Sequence, residues 1–181
     1  MNKILKLSLV LFAICAVAAG ALGFVNYLTA PTIEAQAQAK TAAAFAAVMQ
    51  ADAYEEIVEY DADGFPTIIS IYKANNGAGH VVTSVFSGAQ GNIKLVVGVD
   101  PELKCTGISV TEHSETSGLG ANAASTAEVG VKFREQFIGQ GEGIALANNG
   151  GEIDALTGAT ITSRAITEAV AESIRVVKSL G

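Results

Sequence analysis

The chain has 181 residues and a formal net charge of −7. That length suffices for one compact domain and a membrane anchor, but it is too short for two large cores. Removing Lys3 and Lys6, which precede the domain, from the 11 basic residues leaves nine against 18 acidic ones, a net charge near −9. Such a surface repels nucleic-acid phosphates and no basic stripe offsets it, so we expect no nucleic-acid binding.

The two cysteines, Cys15 and Cys105, predict neither a disulfide framework nor a metal site. Cys15 lies in an apolar run and Cys105 in a predicted strand, so the two thiols would lie in different media. His80 and His113 are the only histidines, and neither has a partner at metal-ligand spacing. We therefore expect no metal.

The N-terminal segment predicts a transmembrane helix. No charged side chain occurs from Leu7 to Ile33. This uncharged run has roughly 27 residues, whereas a helix needs about 20 to cross the core of a bilayer. Lys3 and Lys6 precede this run, and no other basic residue occurs before Lys40. The positive-inside bias predicts a cytoplasmic N-terminus, with everything after Leu28 on the outer side of the cell membrane.

A cleaved signal peptide is the alternative interpretation of this segment. Residues 16–18 and 19–21 resemble small-residue cleavage sites, but the apolar run continues to Leu28, which favours a retained anchor. Small residues also recur at four-residue spacing, which places them on one face of the helix. That face could pack against a partner transmembrane helix or face lipid. The pairs are Ala16/Gly20 and Ala19/Gly23.

After the anchor the pattern changes to that of a folded domain. Pro31 can open a helix, and Thr32 to Gln50 is rich in helix-forming residues. Five segments with strand character follow between turn signals: Glu55–Tyr60, Thr67–Lys73, His80–Phe86, Asn92–Asp100 and Lys104–Glu112. We divide the chain into an anchor (1–30), a helical connector (31–53) and a domain (54–181).

Two further helices are predicted after the strands. Ser125 to Phe137 has helical spacing with Ser125 or Thr126 as its cap, and Thr162 to Leu180 carries an apolar stripe. A loop rich in glycine and asparagine separates them. The order predicts an α+β fold, an antiparallel sheet with flanking helices, preceded by one N-terminal transmembrane helix. The alternation in residues 93–99 suggests a sheet with one buried face.

The segment 154–163 brings hydroxyl groups and backbone N–H groups to the start of the last helix. Unpaired N–H donors and the positive end of the helix dipole favour a phosphate there. The simpler alternative is that Thr157, Thr160 or Thr162 only caps the helix. On physical grounds alone the cap is the commoner use of such residues.

This segment also resembles a known motif. Asp154-x-x-Thr157-Gly158-Ala159-Thr160 is similar to the flavinylation motif of the FMN-binding family. That family includes the G subunits of Rnf complexes and the C subunits of sodium-pumping quinone reductases. The resemblance implies that a flavin transferase joins FMN to Thr160 through a phosphoester. It implies four further cofactor-binding residues: Asp154, Thr157, Gly158 and Ala159.

The segment His113–Gly120 is similar to a second signature of the same family, a loop beside the isoalloxazine ring. The resemblance implies flavin contacts from Glu115, Thr116, Gly118, Leu119 and Gly120. Ser117 stands where the family often has proline, and residues 87–93 depart from the usual glycine-rich pattern. Without the resemblance, Glu112 and Glu115 are expected to be solvated surface carboxylates, and His113 a strand-end residue that hydrogen-bonds its neighbours.

The resemblance implies an electron-transfer subunit with covalent FMN in an Rnf-type complex. Such complexes couple electron transfer between ferredoxin and NAD⁺ to Na⁺ or H⁺ translocation, and the subunit would act as a relay without a catalytic site of its own. Its expected partners are other membrane subunits and the flavin transferase. Two alternatives stay open: a stand-alone anchored flavoprotein that delivers electrons to extracellular acceptors, and a scaffold domain without flavin.

Overall fold

A computed structural model describes residues 3–181 of the chain. Met1 and Asn2, the first two residues of the predicted anchor, lie outside the described residues. The chain divides into two compact units, Met1–Lys40 and Thr41–Gly181.

Helix α1 (Lys3–Val48) supplies the whole described part of the first unit. Its most apolar window has a mean hydropathy of 2.4 and no buried side chains, and its length and composition would allow it to cross a membrane. Pro31 lies inside α1, so the prediction that it opens a separate helix is wrong. Helix-forming residues on both sides of Pro31 continue the helix although the proline lacks an N–H group.

The second unit contains a five-stranded antiparallel sheet in the sequential order β1 to β5. This confirms the predicted sheet. The strands are β1 (Tyr54–Ile57), β2 (Ile68–Ala74), β3 (His80–Ser87), β4 (Asn92–Val99) and β5 (Cys105–His113). The largest difference from prediction is in β1, which ends at Ile57. The chain then leaves the sheet, and the Tyr60 hydroxyl donates a hydrogen bond to the Ile68 carbonyl at 3.2 Å.

Both faces of the sheet are covered. Helix α3 (Thr160–Ser179) packs on one face over Val82 and Val97, and the end of α1, including Phe45, covers Val96 on the other. The prediction that β4 has one buried face is therefore wrong. Val96 and Gly98, which face away from Val97, are buried as well, because the last turns of α1 pack against them.

Helix α2 (Glu128–Glu135) is shorter than predicted and begins after Ala127. The Ser125 hydroxyl accepts a hydrogen bond from the Ala127 N–H at 3.0 Å, which shapes the turn before the helix. Phe133 and Phe137 are buried and meet edge to face, with ring centroids 5.3 Å apart. This aromatic pair anchors α2 in the core that α3 shares.

Candidate functional site

Helix α3 begins at Thr160, before the predicted start at Thr162. Ala159 occupies the N-cap position, and no side chain caps the helix. The interpretation of this segment as a plain threonine cap is therefore wrong. The first turn instead has an outer side and an inner side, since Thr160 is exposed whereas Thr162 is 1% exposed.

The turn before α3 is closed by Ser163 from the inner side. Its hydroxyl accepts a hydrogen bond from the Leu156 N–H and donates one to the Ala159 carbonyl, both at 2.9 Å. The Ala159 N–H also binds the Leu156 carbonyl at 2.9 Å, across a turn in which Gly158 has φ +71°. Glycine suits this left-handed conformation because it has no Cβ to clash.

Asp154 is fixed at the other end of the motif by Gln136. The Asp154 N–H donates to Gln136 Oε1 at 2.7 Å, and Gln136 Nε2 donates to the Asp154 carbonyl at 3.3 Å. The Asp154 side chain itself is exposed, as is that of Thr157. The motif is thus held by its backbone, which leaves these polar side chains on the surface.

Glu115 is a buried carboxylate, 8% exposed, that reaches the start of α3. Its Oε2 accepts a hydrogen bond from the Thr162 hydroxyl, and its Oε1 accepts one from the Gln90 N–H at 3.0 Å. Burial raises the pKa of Glu115, but the bonds from Gln90, Thr162 and the Ala89 N–H outweigh it, and the pKa lies below the usual value. The carboxylate is therefore held in its charged form.

These contacts correct one expectation and confirm another. Glu112 is exposed, but the prediction of a solvated surface carboxylate is wrong for Glu115. Its burial depends on donors from distant parts of the chain. His113 ends β5, and its Nδ1 accepts a hydrogen bond from the Glu115 N–H at 3.3 Å, as expected of a strand-end residue.

The two sequence motifs meet in space. A Cβ placed on Gly158 would lie 3.0 Å from Leu119 Cδ2, so the second signature lies directly against the turn before α3. A Cβ on Gly120 would lie 2.5 Å from Glu115 Oε2. The Thr116 carbonyl accepts the Leu119 N–H at 3.2 Å and folds the loop back, with Gly118 in the left-handed region at φ +79°.

Three residues of this site were not singled out from the sequence: Thr162 as an inner anchor, Gln90 and Gln136. The loop that contains Gln90 departs from the family pattern, yet its backbone binds Glu115. Only backbone N–H groups take part there, so the side-chain pattern could not reveal the contact. Thr162 lies in the segment 154–163, but the neighbouring residues in the sequence do not predict that its hydroxyl points into the core.

Comparison with known proteins assigns the family. Residues 88–175 match the model of the FMN-binding domain, and residues 1–48 match the RnfG N-terminal region. The G subunit of the Na⁺-translocating ferredoxin:NAD⁺ oxidoreductase complex of Acetobacterium woodii is 33% identical, over 98% of this chain and 93% of that relative. The G subunit of the ion-translocating oxidoreductase complex of Methanosarcina acetivorans is 34% identical, over 96% and 94%.

A third relative, the G subunit of the proton-translocating ferredoxin:NAD⁺ oxidoreductase complex of Clostridium ljungdahlii, is 31% identical over 96% of this chain and 91% of its own. All three alignments include the apolar helix, the sheet and the segment around Thr160, because they cover nearly the whole chain. The chain belongs to the FMN-binding domain family, among the G subunits of Rnf-type ion-translocating oxidoreductase complexes.

Proposed function

We propose that this chain is a membrane-anchored electron-transfer subunit of an Rnf-type ferredoxin:NAD⁺ oxidoreductase complex, with FMN joined to Thr160 through a phosphoester. The observation that carries the proposal is the exposed Thr160 hydroxyl at the first position of an uncapped helix, within a motif that resembles the flavinylation motif. FMN binding agrees with the match of residues 88–175 to the FMN-binding domain.

The surroundings of Thr160 suit a phosphate group. The first N–H groups of a helix have no partners within it, and here no side chain caps them. Together with the positive end of the α3 dipole, they favour an anion at this position. Gly158, without a side chain, leaves the approach to the helix start open.

Thr160 is a better attachment residue than its two neighbouring threonines. Thr162 is buried, and its hydroxyl proton is donated to Glu115. Thr157 is exposed but precedes the turn at Gly158, so it lies outside the first turn of α3. Of the three, only Thr160 combines exposure with a place among the unpaired N–H groups.

Attachment requires an activated flavin donor, since a free phosphate would have to expel hydroxide. The donor class is a flavin dinucleotide. The Thr160 oxygen forms a bond to the flavin-side phosphorus, the pyrophosphate P–O bond breaks, and a nucleoside monophosphate leaves. The hydroxyl proton passes to a base of the flavin transferase or to solvent.

When bound, the flavin supplies one-electron and two-electron redox chemistry near neutral pH. The chain's own residues hold it: Thr160 tethers the phosphate, and Leu119, 43% exposed and against Gly158, offers an apolar surface beside the attachment point. The surrounding loops are formed by Asp154, Thr157, Ala159, Thr116, Gly118 and Gly120. The proposed role is a relay between neighbouring redox centres, which needs no diffusible substrate.

The relatives' names suggest the assembly. Each is a subunit of an ion-translocating complex, and the names include both Na⁺ and proton translocation at similar identity to this chain. We therefore assign a place in such a complex, with other membrane subunits as partners. The proposed relay role is the same for either ion, because the flavin carries electrons and not the translocated ion.

Lys3 and Lys6 before the apolar part of α1 favour a cytoplasmic N-terminus. The second unit would then lie on the outer face of the cell membrane. That unit carries Thr160, so the flavin and its transferase are expected on the same face. Unlike a cleaved signal peptide, α1 would stay in the mature protein as the anchor.

Co-expression with a flavin transferase tests the attachment. We expect the wild-type full chain to fluoresce on a denaturing gel, and the tryptic peptide with Thr160 to gain the mass of one FMN phosphoester. Thr160→Ala should lose both, whereas Thr126→Ala, at an exposed threonine outside the motif, should keep both. An unmodified wild-type chain, made beside an active transferase, would refute the proposal.

A further inference from the structure

We infer that Glu115 is a positioning residue: its hydrogen bond with Thr162 fixes the first turn of α3 so that Thr160 is presented for flavin attachment. This inference rests on the proposed function. It also revises the role that the resemblance implies for Glu115, a contact with the isoalloxazine ring.

One carboxylate joins three segments that are distant in the chain. Glu115 lies in the loop after β5, Gln90 lies in the loop between β3 and β4, and Thr162 lies in the first turn of α3. Oε1 binds the Gln90 N–H and Oε2 accepts the Thr162 hydroxyl. Because each oxygen is used inside the protein, the carboxylate holds segments together and is not directed at a ligand.

The space around the carboxylate is closed as well. A Cβ on Gly88 would lie 2.5 Å from Glu115 Oε1, and a Cβ on Gly120 would lie 2.5 Å from Oε2 and 2.6 Å from the Thr162 hydroxyl. No side chain would fit at either glycine without moving the carboxylate. The two glycines thus let backbone from both loops pack against the Glu115–Thr162 pair.

Helix geometry explains how the buried Glu115–Thr162 contact sets the orientation of Thr160. Successive residues of an α-helix are about 100° apart, so positions 160 and 162 lie about 200° apart around the axis. When Glu115 holds Thr162 against the core, Thr160 must face outward. The exposure pattern agrees, with Thr160 and Ile161 exposed and Thr162 and Ser163 buried.

The hydrogen bond to Glu115 also makes the Thr162 hydroxyl unavailable as a competing nucleophile. Thr162 has the same hydroxyl as Thr160 and lies in the same turn, but its proton is committed to Glu115. Without the carboxylate, the first turn could rotate or fray and present Thr162, or leave Thr157 as the better target. Glu115 therefore determines both the rate and the site of flavin attachment.

The test compares flavin incorporation into full-length variants co-expressed with the transferase. We expect Glu115→Ala and Thr162→Val to incorporate flavin at Thr160 roughly tenfold more slowly, since small misplacements of a reacting group cost rate steeply. In Glu115→Ala, part of the flavin should appear on Thr157 or Thr162 by peptide mass spectrometry. Thr162→Ser, which keeps the hydroxyl, should stay within about twofold of wild type.

Thr67→Val is the matched control. The Thr67 hydroxyl donates to Glu172 Oε1, another threonine–glutamate bond to α3, but Glu172 lies about 18 Å along the helix from Thr160. This variant loses the same type of hydrogen bond and should incorporate flavin at Thr160 as the wild type does. An equal loss in Thr67→Val would show that the effect is one of general stability.

A second readout does not depend on flavin. In Thr160→Ala protein, the Ser163 N–H, which binds the Ala159 carbonyl at 2.9 Å, should exchange with deuterium faster after Glu115→Ala. Wild-type rates of attachment and of exchange in the Glu115 and Thr162 variants would overturn the inference alone. A wild-type chain without flavin on Thr160 would overturn the proposed function first.

Discussion

Glu115 stays charged at low exposure because hydrogen-bond donors replace the water that a carboxylate normally binds. Its pKa is lowered by these bonds in spite of burial, so the bonds stabilise the folded state above the ordinary carboxyl pKa. That contribution is lost as the pH falls through the lowered pKa of the folded state. The lowered pKa of Glu115 therefore means that this stabilisation decreases, and does not increase, towards acid pH.

We therefore predict that Glu115→Gln lowers the free energy of unfolding of the full chain in detergent at pH 7 by about 1–3 kcal/mol. The difference from wild type should shrink as the pH falls below the ordinary carboxyl pKa, because the unfolded wild-type chain then binds a proton at Glu115 more readily than the folded chain does. Denaturant unfolding at several pH values measures it. A difference that grows towards acid pH would contradict the assignment of a lowered pKa.

Cys105 is a second residue whose environment sets its chemistry. Burial raises the pKa of its thiol to about 12, and the nearby negative Asp100 acts in the same direction. At pH 8 the thiolate fraction is then about one in ten thousand, whereas an ordinary thiol is roughly one-quarter thiolate at that pH. We predict no alkylation of Cys105 in the folded chain and full alkylation in denaturant, measured by peptide mass spectrometry. Rapid labelling of folded protein would contradict this.

At the scale of elements, the turn before α3 decides where the helix begins. Gly158 has φ +71°, and a Cβ there would meet Leu119 at 3.0 Å. We predict that Gly158→Ala lowers the free energy of unfolding by about 1–2 kcal/mol, because the left-handed conformation disfavours a side chain. Gly143→Ala is the control, since no atom lies within 4 Å of its added Cβ. Equal unfolding midpoints for the two variants would refute the prediction.

The strands could be predicted because their evidence is local. β4 shows alternation, and turn residues separate it from β3 and β5, so periodicity placed these strands. The start of α3 was missed because Ser163 closes the preceding turn with its hydroxyl, a contact that threonine-rich sequence does not distinguish from a cap. The burial of Glu115 was missed because its donors, Gln90 and Thr162, are far away in sequence.

In the candidate site, too, some features could be predicted from the local sequence and others depend on tertiary packing. The residues Asp154, Thr157 and Gly158 were selected from the sequence because the motif is contiguous and resembles a family pattern. The contact of Leu119 with Gly158 depends on the return of the chain through α2 and its loop. Local sequence indicates which segments carry the chemistry, whereas tertiary packing decides which side chains of those segments face outward.

At the scale of the whole molecule, the two units have opposite surface character. Large exposed side chains from Ile4 to Ile33 make the apolar part of α1 hydrophobic on its surface. Acidic residues dominate the remainder of the chain, and the isoelectric point is near 4.8. An exposed apolar helix of this length suits lipid, whereas the acidic unit suits water. Charge near the ends of the helix then becomes the main determinant of orientation.

We predict that reversing the two preceding charges, Lys3→Glu with Lys6→Glu, impairs the orientation that puts the second unit outside. The positive-inside bias counts basic residues close to the ends of a span, and these two lie on the cytoplasmic side of our proposal. Protease added to intact spheroplasts should digest the wild-type second unit but spare much of the doubly substituted chain. Lys40→Glu makes the same kind of change beyond the apolar run and should leave digestion complete, because it removes a positive charge from the outer side. Protection of the wild-type chain, or equal digestion of the doubly substituted one, would contradict the role of these lysines.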